Sequence, residues 1–433
     1  MKMMPGRVTG AGSGALRRRT GPPQTLARPK LSGSSGYGQG RHRALETLRR
    51  STQRTFVNSG PRFMTTSVRA VTGIVNHFYR QGRLRLVELL WYIPNTVEPG
   101  HRGDDTTEGW GSLEYSTELA LAAEKHGWSG ALLGSSWGRP DTFTVATALA
   151  ARTTRFRPLV AVRPGYWHPA HFASAAGTLD RLSNGRLLVN VISGLDEPAA
   201  YGDTVTDSPE RYARTAEFMQ VVRRLWTQRA VTYEGRYYQV TDSTVATPPA
   251  SPPPLYFGGA SPAAERVSAA EADAQLFWGE PLDALAERIA RLRSLSDGVG
   301  REHAPLEFGL RITTLVRDTT EQAWADAEAR VAAMRGKEPE TWWAGNRLAV
   351  GQRRLYDLAE RGEVLDSCLY TAPGTVGGGG AASTWLVGTA PEVAASLRRY
   401  QELGISHFIL SDTPYQEEVV RLGDQLLPLL RDS

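Results

Sequence analysis

From residue 84 onward the chain repeats one pattern. A short apolar run is followed by a break containing Gly, Pro or Asp, then by a longer stretch with helical spacing. The apolar runs are Leu86–Ile93, Gly130–Leu133, Arg157–Val162, Arg186–Ile192, Leu255–Gly258, Ala274–Phe277, Phe308–Val316 and His407–Ser411. They show little alternation of apolar and polar positions, as expected of strands buried on both faces. Helical stretches between them are Leu113–His126, Thr142–Ala151, Ala170–Leu182, Arg211–Gln228, Ala263–Ala270, Leu282–Ser296 and Glu321–Ala333. Eight such runs interleaved with helices predict an α/β fold, a closed (β/α)8 TIM barrel.

Two segments interrupt the repeat. Val231–Val240 (VTYEGRYYQV) predicts a β-hairpin turning at Glu234–Gly235. Gly336–Ser383 is a long insertion between the seventh and eighth strands, ending near Gly377–Gly380. A loop of that length in a compact domain is a functional lid or a disordered segment, and a lid suits an enzyme that shields a reactive intermediate from water.

Residues 1–83 differ from the rest. They are rich in Gly, Ser, Pro and Arg, which predicts a disordered basic extension ahead of a barrel domain at 84–433. Residues 1–85 hold 17 of the 50 Lys and Arg and a single acid, Glu46. Hence the net charge of +5 comes from this segment, and the remaining 33 bases and 44 acids make an acidic body. The basic balance is therefore weak evidence for a nucleic-acid partner. The segment is open to three readings: a nucleic-acid or membrane-surface arm, a targeting segment, or sequence upstream of the true start. The lone Cys368 leaves no disulfide or cysteine metal site within one chain and fits a reducing, cytoplasmic location. No apolar run reaches the roughly 20 residues of a membrane-spanning helix.

In a barrel of this kind the chemistry sits at the C-terminal ends of the strands. Two features there suit a phosphate. Gly258-Gly259-Ala260-Ser261 is a small-residue loop that opens a helix, where backbone N–H groups and the helix dipole can face an anion; the plain alternative is a tight turn. Arg211 at a helix start can add a bidentate charge. Trp137, Tyr166, Trp167 and Trp278 gather at the predicted mouth, as core side chains or as walls for a planar ligand. His168 and His171 are three apart and open to a metal site or to a helix-start role. There is no G-x-S-x-G elbow, P-loop or G-x-G-x-x-G after a strand, so a cofactor is expected to do the difficult chemistry.

Several stretches carry a family likeness. They are AGTLDRLSNGR (176–186), Glu210-Arg211-Tyr212 with Ala216-Glu217-Phe218, PPLYFGG (253–259), Trp278–Pro281, Phe308–Arg311, Leu386–Gly388 and Leu403–Ser411. Over residues 86–430 the chain resembles the FMNH2-dependent alkanesulfonate monooxygenases of the bacterial luciferase-like superfamily. The resemblance implies a two-component monooxygenase in which a separate NAD(P)H-dependent flavin reductase delivers FMNH2, O2 is co-substrate, and a peroxyflavin attacks a small organic substrate, possibly a sulfonate. It implies a homodimer or homotetramer; the charge distribution and the lack of a long apolar run lead to the expectation of no nucleic-acid and no membrane partner. Asn190, Ser193, Arg211, Tyr212, Gly258, Gly259, Ala260 and Ser261 are its implied flavin-binding residues. Trp278 and Arg311 are the implied substrate-anion residues, and Arg139 is a further charge for the pocket. The chain departs from the family at Asn95 and Thr96, Arg139, Thr313, Gly379 and Thr413, which turns the expectation from a simple alkanesulfonate toward a specialised oxidation of a larger molecule. Three alternatives stand beside this: a deazaflavin-dependent oxidoreductase of the same superfamily, a non-catalytic flavin-binding relative, and a nucleic-acid binder acting through residues 1–83.

Overall fold

A computed structural model describes residues 87–95, 109, 111–194, 197–301, 303–335, 350–376 and 383–431. The predicted 1–83 extension and the Gly377–Gly380 run lie outside them. The strands are β1 (Glu88–Ile93), β2 (Gly130–Leu133), β3 (Arg157–Val162), β4 (Leu188–Val191), β5 (Val231–Glu234), β6 (Gln239–Ser243), β7 (Leu255–Gly258), β8 (Ala274–Trp278), β9 (Glu307–Val316), β10 (Val364–Leu365), β11 (Leu369–Tyr370), β12 (Trp385–Gly388) and β13 (Ile405–Ser411). The helices of eight residues or more are α1 (Leu113–Lys125), α2 (Thr142–Arg152), α3 (Pro169–Leu182), α4 (Ser208–Thr227), α5 (Pro262–Glu271), α6 (Leu282–Gly298), α7 (Thr320–Arg335), α8 (Val350–Arg361), α9 (Ala390–Leu403) and α10 (Tyr415–Gln425).

The strand order β13-β1-β2-β3-β4-β7-β8-β9 closes on itself through β9–β13 and β8–β9, and every pairing in the ring is parallel. This is the predicted (β/α)8 barrel, and its eight strands are the eight apolar runs. Helix starts follow local chemistry. Asp141, Asp207 and Ser261 accept a backbone N–H of the first turn of α2, α4 and α5, and Thr389 with Glu392 forms a capping box at α9. The predicted hairpin forms from β5 and β6. Glu217 of α4 fixes it by accepting the backbone N–H groups of Tyr237 (3.0 Å) and Tyr238 (2.7 Å).

The insertion is more than a loop. It contains α8, β10 and β11, and β12 follows it directly. The ten-residue β9 explains how it attaches. Its lower half, Glu307–Arg311, pairs with β8, and its upper half, Thr313–Val316, pairs with β12 on the same edge. The sheet thus branches above the barrel into β12-β11-β10.

Side chains inside the barrel are identified by contacts across its interior, two of them between non-adjacent strands. Tyr256 (β7) hydrogen-bonds His407 (β13) at 3.0 Å, and His407 meets Glu307 at 2.8 Å. Glu88 pairs with Arg157 at 2.5 Å. These residues lie at the strands' N-terminal ends and form a polar floor. In-register neighbours on parallel strands face the same way, so Ala161 and Asn190, level with Tyr256, also face inward.

A second charged layer ties β9 and β13 to the outer helices. Arg330 (α7) reaches Asp326 at 3.0 Å and Asp412 at 3.0 Å, and Arg317 reaches Asp412 at 3.5 Å and Glu418 (α10) at 3.3 Å. Asp412 and Glu418 are both buried. Burial first, and then the negative charge of Asp412, push the Glu418 carboxyl up to about 7. The folded state therefore holds this proton where the unfolded chain has released it, and the stabilisation present at pH 4 is lost as pH rises from about 4.5 through 7. Urea midpoints measured across that range should fall more steeply for the wild type than for Glu418→Gln; parallel profiles would contradict the assignment.

Candidate active site

The C-terminal rim of the barrel carries two groups of side chains on opposite sides. The first lies over β3, β4 and β7. Arg211, in the first turn of α4, donates to the carbonyl of Ser193 and through Nε to Thr206 O at 3.1 Å. Arg163, one residue past β3, donates to the carbonyl of Gly194. Two guanidinium groups therefore converge on consecutive carbonyls of the turn after β4. Arg214, on the same face of α4, is buried and makes a bidentate pair with Asp203, both bonds 2.7 Å. Arginine and aspartate stabilise each other there, so the Asp203 carboxyl is held below its ordinary value. Arg163, Tyr166, Ser193, Arg211 and Arg214 line one cleft.

The predicted glycine loop adjoins this corner. Val191 is in register with Phe257, so the chain leaving β4 at Ser193 stands level with Gly259. Tyr212 packs edge-on against Phe257 with ring centroids 6.4 Å apart. Gly259 has no room for a side chain, because a Cβ would lie 2.4 Å from that of Ala264. Its carbonyl accepts Arg288 Nη2 at 2.8 Å and Gln275 at 3.2 Å. Ser261 caps α5 by accepting Ala264 N at 3.2 Å. On the inner wall Asn190 stands between Ala161 and Tyr256, and Gly258 lies two residues further along β7 toward the rim. The eight predicted flavin-binding residues thus lie at one corner: a cationic edge, a helix start and the inner wall at Asn190. Such a donor set fits a phosphate with a planar group attached.

The second group lies over β8, β9, β1 and the loop after β2. Trp278 is in register with Arg311, so both face the mouth. The Arg311 guanidinium lies 4.7 Å over the ring of Tyr92, across the intervening β13. Arg139 comes from the other side. Its Nη1 donates to Tyr92 Oη at 3.2 Å and to the Pro94 carbonyl, and its Nε to Ser136 Oγ at 3.1 Å. Gly134 makes room for this, since a Cβ there would lie 2.4 Å from Arg139 Nη1. Two arginines therefore flank one tyrosine. Over the ring of Phe277, Arg288 joins Glu280, Glu265 (2.9 Å) and the Gly259 carbonyl, linking the turns after β7 and β8.

Some expectations shift with these positions. His168 caps α3 and His171 stacks on Trp167 at 5.3 Å, so each has a structural role. Asn95 is buried with φ 46°, a left-handed conformation Asn tolerates, and ties β1 to the next loop through Gly134 O (3.0 Å) and Pro140 O (2.9 Å). Thr313 is buried between β12 and β13, and Thr413 accepts a bond from Arg330 at 3.2 Å. Thr96 and Gly379 lie outside the described residues. Tyr92, Arg163 and Arg214 were not among the predicted site residues. The period-2 pattern of β1 points Tyr92 inward, and the three-residue spacing from Arg211 points Arg214 to the same helix face.

A family model for luciferase-like monooxygenases matches residues 88–407. The chain belongs to the luciferase-like monooxygenase family. Solved structures with this fold include riboflavin lyase RcaE, with modified FMN and riboflavin (TM-score 0.64, 20% identity, 80% of this chain and 92% of that one). Another is the EDTA monooxygenase EmoA from Chelativorans sp. BNC1 (TM-score 0.65, 18% identity, 80% and 94%). A third is an F420-dependent secondary alcohol dehydrogenase in complex with an F420-acetone adduct (TM-score 0.60, 20% identity, 80% and 100%). At these identities the likeness is one of fold. Membership makes this luciferase-like chain an enzyme of the monooxygenase class; the alkanesulfonate branch is a finer matter, left to the side chains at the mouth.

Arg288 gives a test of how the luciferase-like rim is held. Arg288→Met leaves Glu265 and Glu280 buried with one cation fewer, and should cost about 3 kcal/mol or more of unfolding free energy. Chemical denaturation followed by circular dichroism reads this; a loss below about 1 kcal/mol would show that the Glu265–Arg288–Glu280 link does not hold the two turns.

Proposed function

We propose that the protein is the oxygenating component of a two-component system, a flavin-dependent monooxygenase that takes FMNH2 from a separate NAD(P)H-dependent flavin reductase and uses O2 as co-substrate. The observation that carries this is the cationic corner at Arg211, beside the Gly258–Ser261 loop. Arg211 and the backbone N–H groups of Gly259, Ala260 and Ser261 would hold the FMN phosphate, with Asn190, Ser193 and Tyr212 along the cofactor. Reduced flavin supplies the electrons that activate oxygen for insertion into the substrate.

The chain's own contribution is binding, orientation and charge. Arg311 and Arg139 give the mouth two cations directed at Tyr92, in surroundings where a positive charge stabilises negative charge more strongly than in water. A negative substituent on the substrate, such as a sulfonate, would be held there, and so would negative charge that develops during oxygen transfer. Trp278, level with Arg311, walls the same space. Assembly as a homodimer or homotetramer and a cytoplasmic location belong to this proposal. Among the described residues no helix is long and apolar enough to cross a membrane.

A deazaflavin reading stands second, because the same fold serves an F420-dependent dehydrogenase. Anaerobic titration separates the two. The proposal expects FMNH2 to bind and then to consume O2 on mixing. It expects Arg211→Met to weaken FMN by about tenfold or more while riboflavin, which lacks the phosphate, changes little. Preferential binding of F420 with no oxygen uptake would shift the assignment to hydride transfer. Tight flavin binding without turnover in the presence of substrate would make the protein a non-catalytic flavin binder.

A further inference from the structure

The five residues after Trp278, Gly279 to Asp283, leave β8 and start α6. Four of them are held from the insertion or from the residue that follows it. Thr384 Oγ1 donates to the Gly279 carbonyl at 2.9 Å. Arg354, on α8, forms an ion pair with Glu280 at 2.8 Å. Asp366, between β10 and β11, accepts the backbone N–H of Leu282 at 2.7 Å. Arg361, at the end of α8, pairs with Asp283 at 2.7 Å. The fifth residue, Pro281, is the N-cap of α6 and brings no side-chain acceptor. Asp366 therefore supplies from the insertion the oxygen that a capping Ser or Asp would give.

These contacts differ in weight. Arg361 and Asp283 are both largely exposed, and such a pair contributes little. Glu280 is 0% exposed and lies in a row of alternating charge, Arg291–Glu265–Arg288–Glu280–Arg354. Without Arg354 the row keeps two cations for two acids, so the fold is expected to survive, and what goes is the tie between α8 and the turn. Gly279 turns the chain just past Trp278 with φ 56°, and a Cβ there would lie 2.5 Å from both Ser383 Oγ and Thr384 Oγ1. On the other side its N–H donates to the Arg311 carbonyl at 3.2 Å. The peptide that follows Trp278 is thus gripped between β9 and the end of the insertion.

We infer that the described part of the insertion is a strut that holds Trp278 level with Arg311. Arg354 and Thr384 are its positioning residues, acting through Glu280 and Gly279. This deepens the monooxygenase reading, in which Trp278 walls the space over Arg311. It rests on that reading for what the wall does, but not for where the ring stands.

Fluorine NMR of the full chain labelled with 5-fluorotryptophan tests it. The chain has 11 tryptophans, and the line of Trp278 is the one missing from Trp278→Phe. Arg354→Met and Thr384→Val should each shift or broaden that line. Arg354→Lys, which keeps the charge, should recover most of the Arg354→Met change, and Arg361→Ala should leave the line in place. Trp128 and Trp226, which donate to carbonyls of α10 and α3, should keep their lines in every variant. FMN affinity, read by calorimetry, should change by less than about twofold in Arg354→Met, because Arg288 still holds the Gly259 carbonyl. An unmoved Trp278 line in both Arg354→Met and Thr384→Val would overturn the inference; if Arg354→Met does not fold, Thr384→Val decides alone. Lines of Trp128 and Trp226 that move as far as that of Trp278 would also overturn it, since the contacts would then hold the fold as a whole. So would a loss of FMN affinity of about tenfold or more, which would assign the strut to the Arg211 corner. Failure of FMN to bind the wild type, with the variant shifts intact, would remove the flavin proposal and leave the strut standing.

Discussion

The pairing of Ala274–Trp278 with Glu307–Arg311 closes the sheet, and the heights of the strand ends around the rim follow from it. Were this pairing absent, β8 and β9 would be open edges with unpaired backbone groups. With it, Trp278 is level with Arg311, and both face the same space. β9 then continues past β8 and offers its upper half to β12. The ladder that closes the barrel thus also anchors the insertion beside the reacting side of the mouth. The polar floor of Tyr256, His407, Glu307, Glu88 and Arg157 fills the other end.

Arginine does most of the positioning at that rim, and its planar donor set explains why. Arg211 and Arg163 hold the turn after β4 through its carbonyls, and Arg214 holds the neighbouring loop through Asp203. Arg288 binds the turns after β7 and β8 to each other. Arg139 and Arg311 converge on Tyr92. Arg139, Arg211 and Arg288 each reach two or more partners at fixed angles, and Arg214 holds its one partner bidentately, which a lysine ammonium cannot do. Rigid turns keep the Arg211 corner and the Arg139–Arg311 side at opposite edges of one opening, the separation that the proposed cofactor, with its charged tail and planar ring, would require.

The barrel was legible because its strands are buried on both faces, which leaves eight apolar runs that periodicity alone finds. The positions of Arg211 in the first turn of a helix and of Gly258–Ser261 between a strand and a helix were legible for a related reason, the helix-start pattern each carries. Elements without a period were not. Strands β10 and β11 have two residues each, too short to show alternation, and the β12 branch depends on β9 outlasting β8. The amphipathic α9 and α10 carry the expected spacing but were not among the predicted helices. Tertiary side-chain directions were the hardest. Nothing in the order of residues 134–139 shows that Arg139 turns onto Tyr92 while Trp137 turns onto Tyr201. Thr413 stood in the sequence as a change at the reacting end, whereas its hydroxyl serves the Arg330 network.

On the function proposed above, the cofactor would lie across the mouth with its phosphate at Arg211 and its ring toward Trp278 and Arg311. A crystal structure of the protein soaked with FMN tests this most directly. The account predicts density for the phosphate within hydrogen-bonding distance of Arg211 and the Gly259–Ser261 backbone, with the ring system over Asn190 and directed at Trp278. A flavin found with its phosphate at Arg139 and Arg311, or outside the barrel mouth, would contradict it.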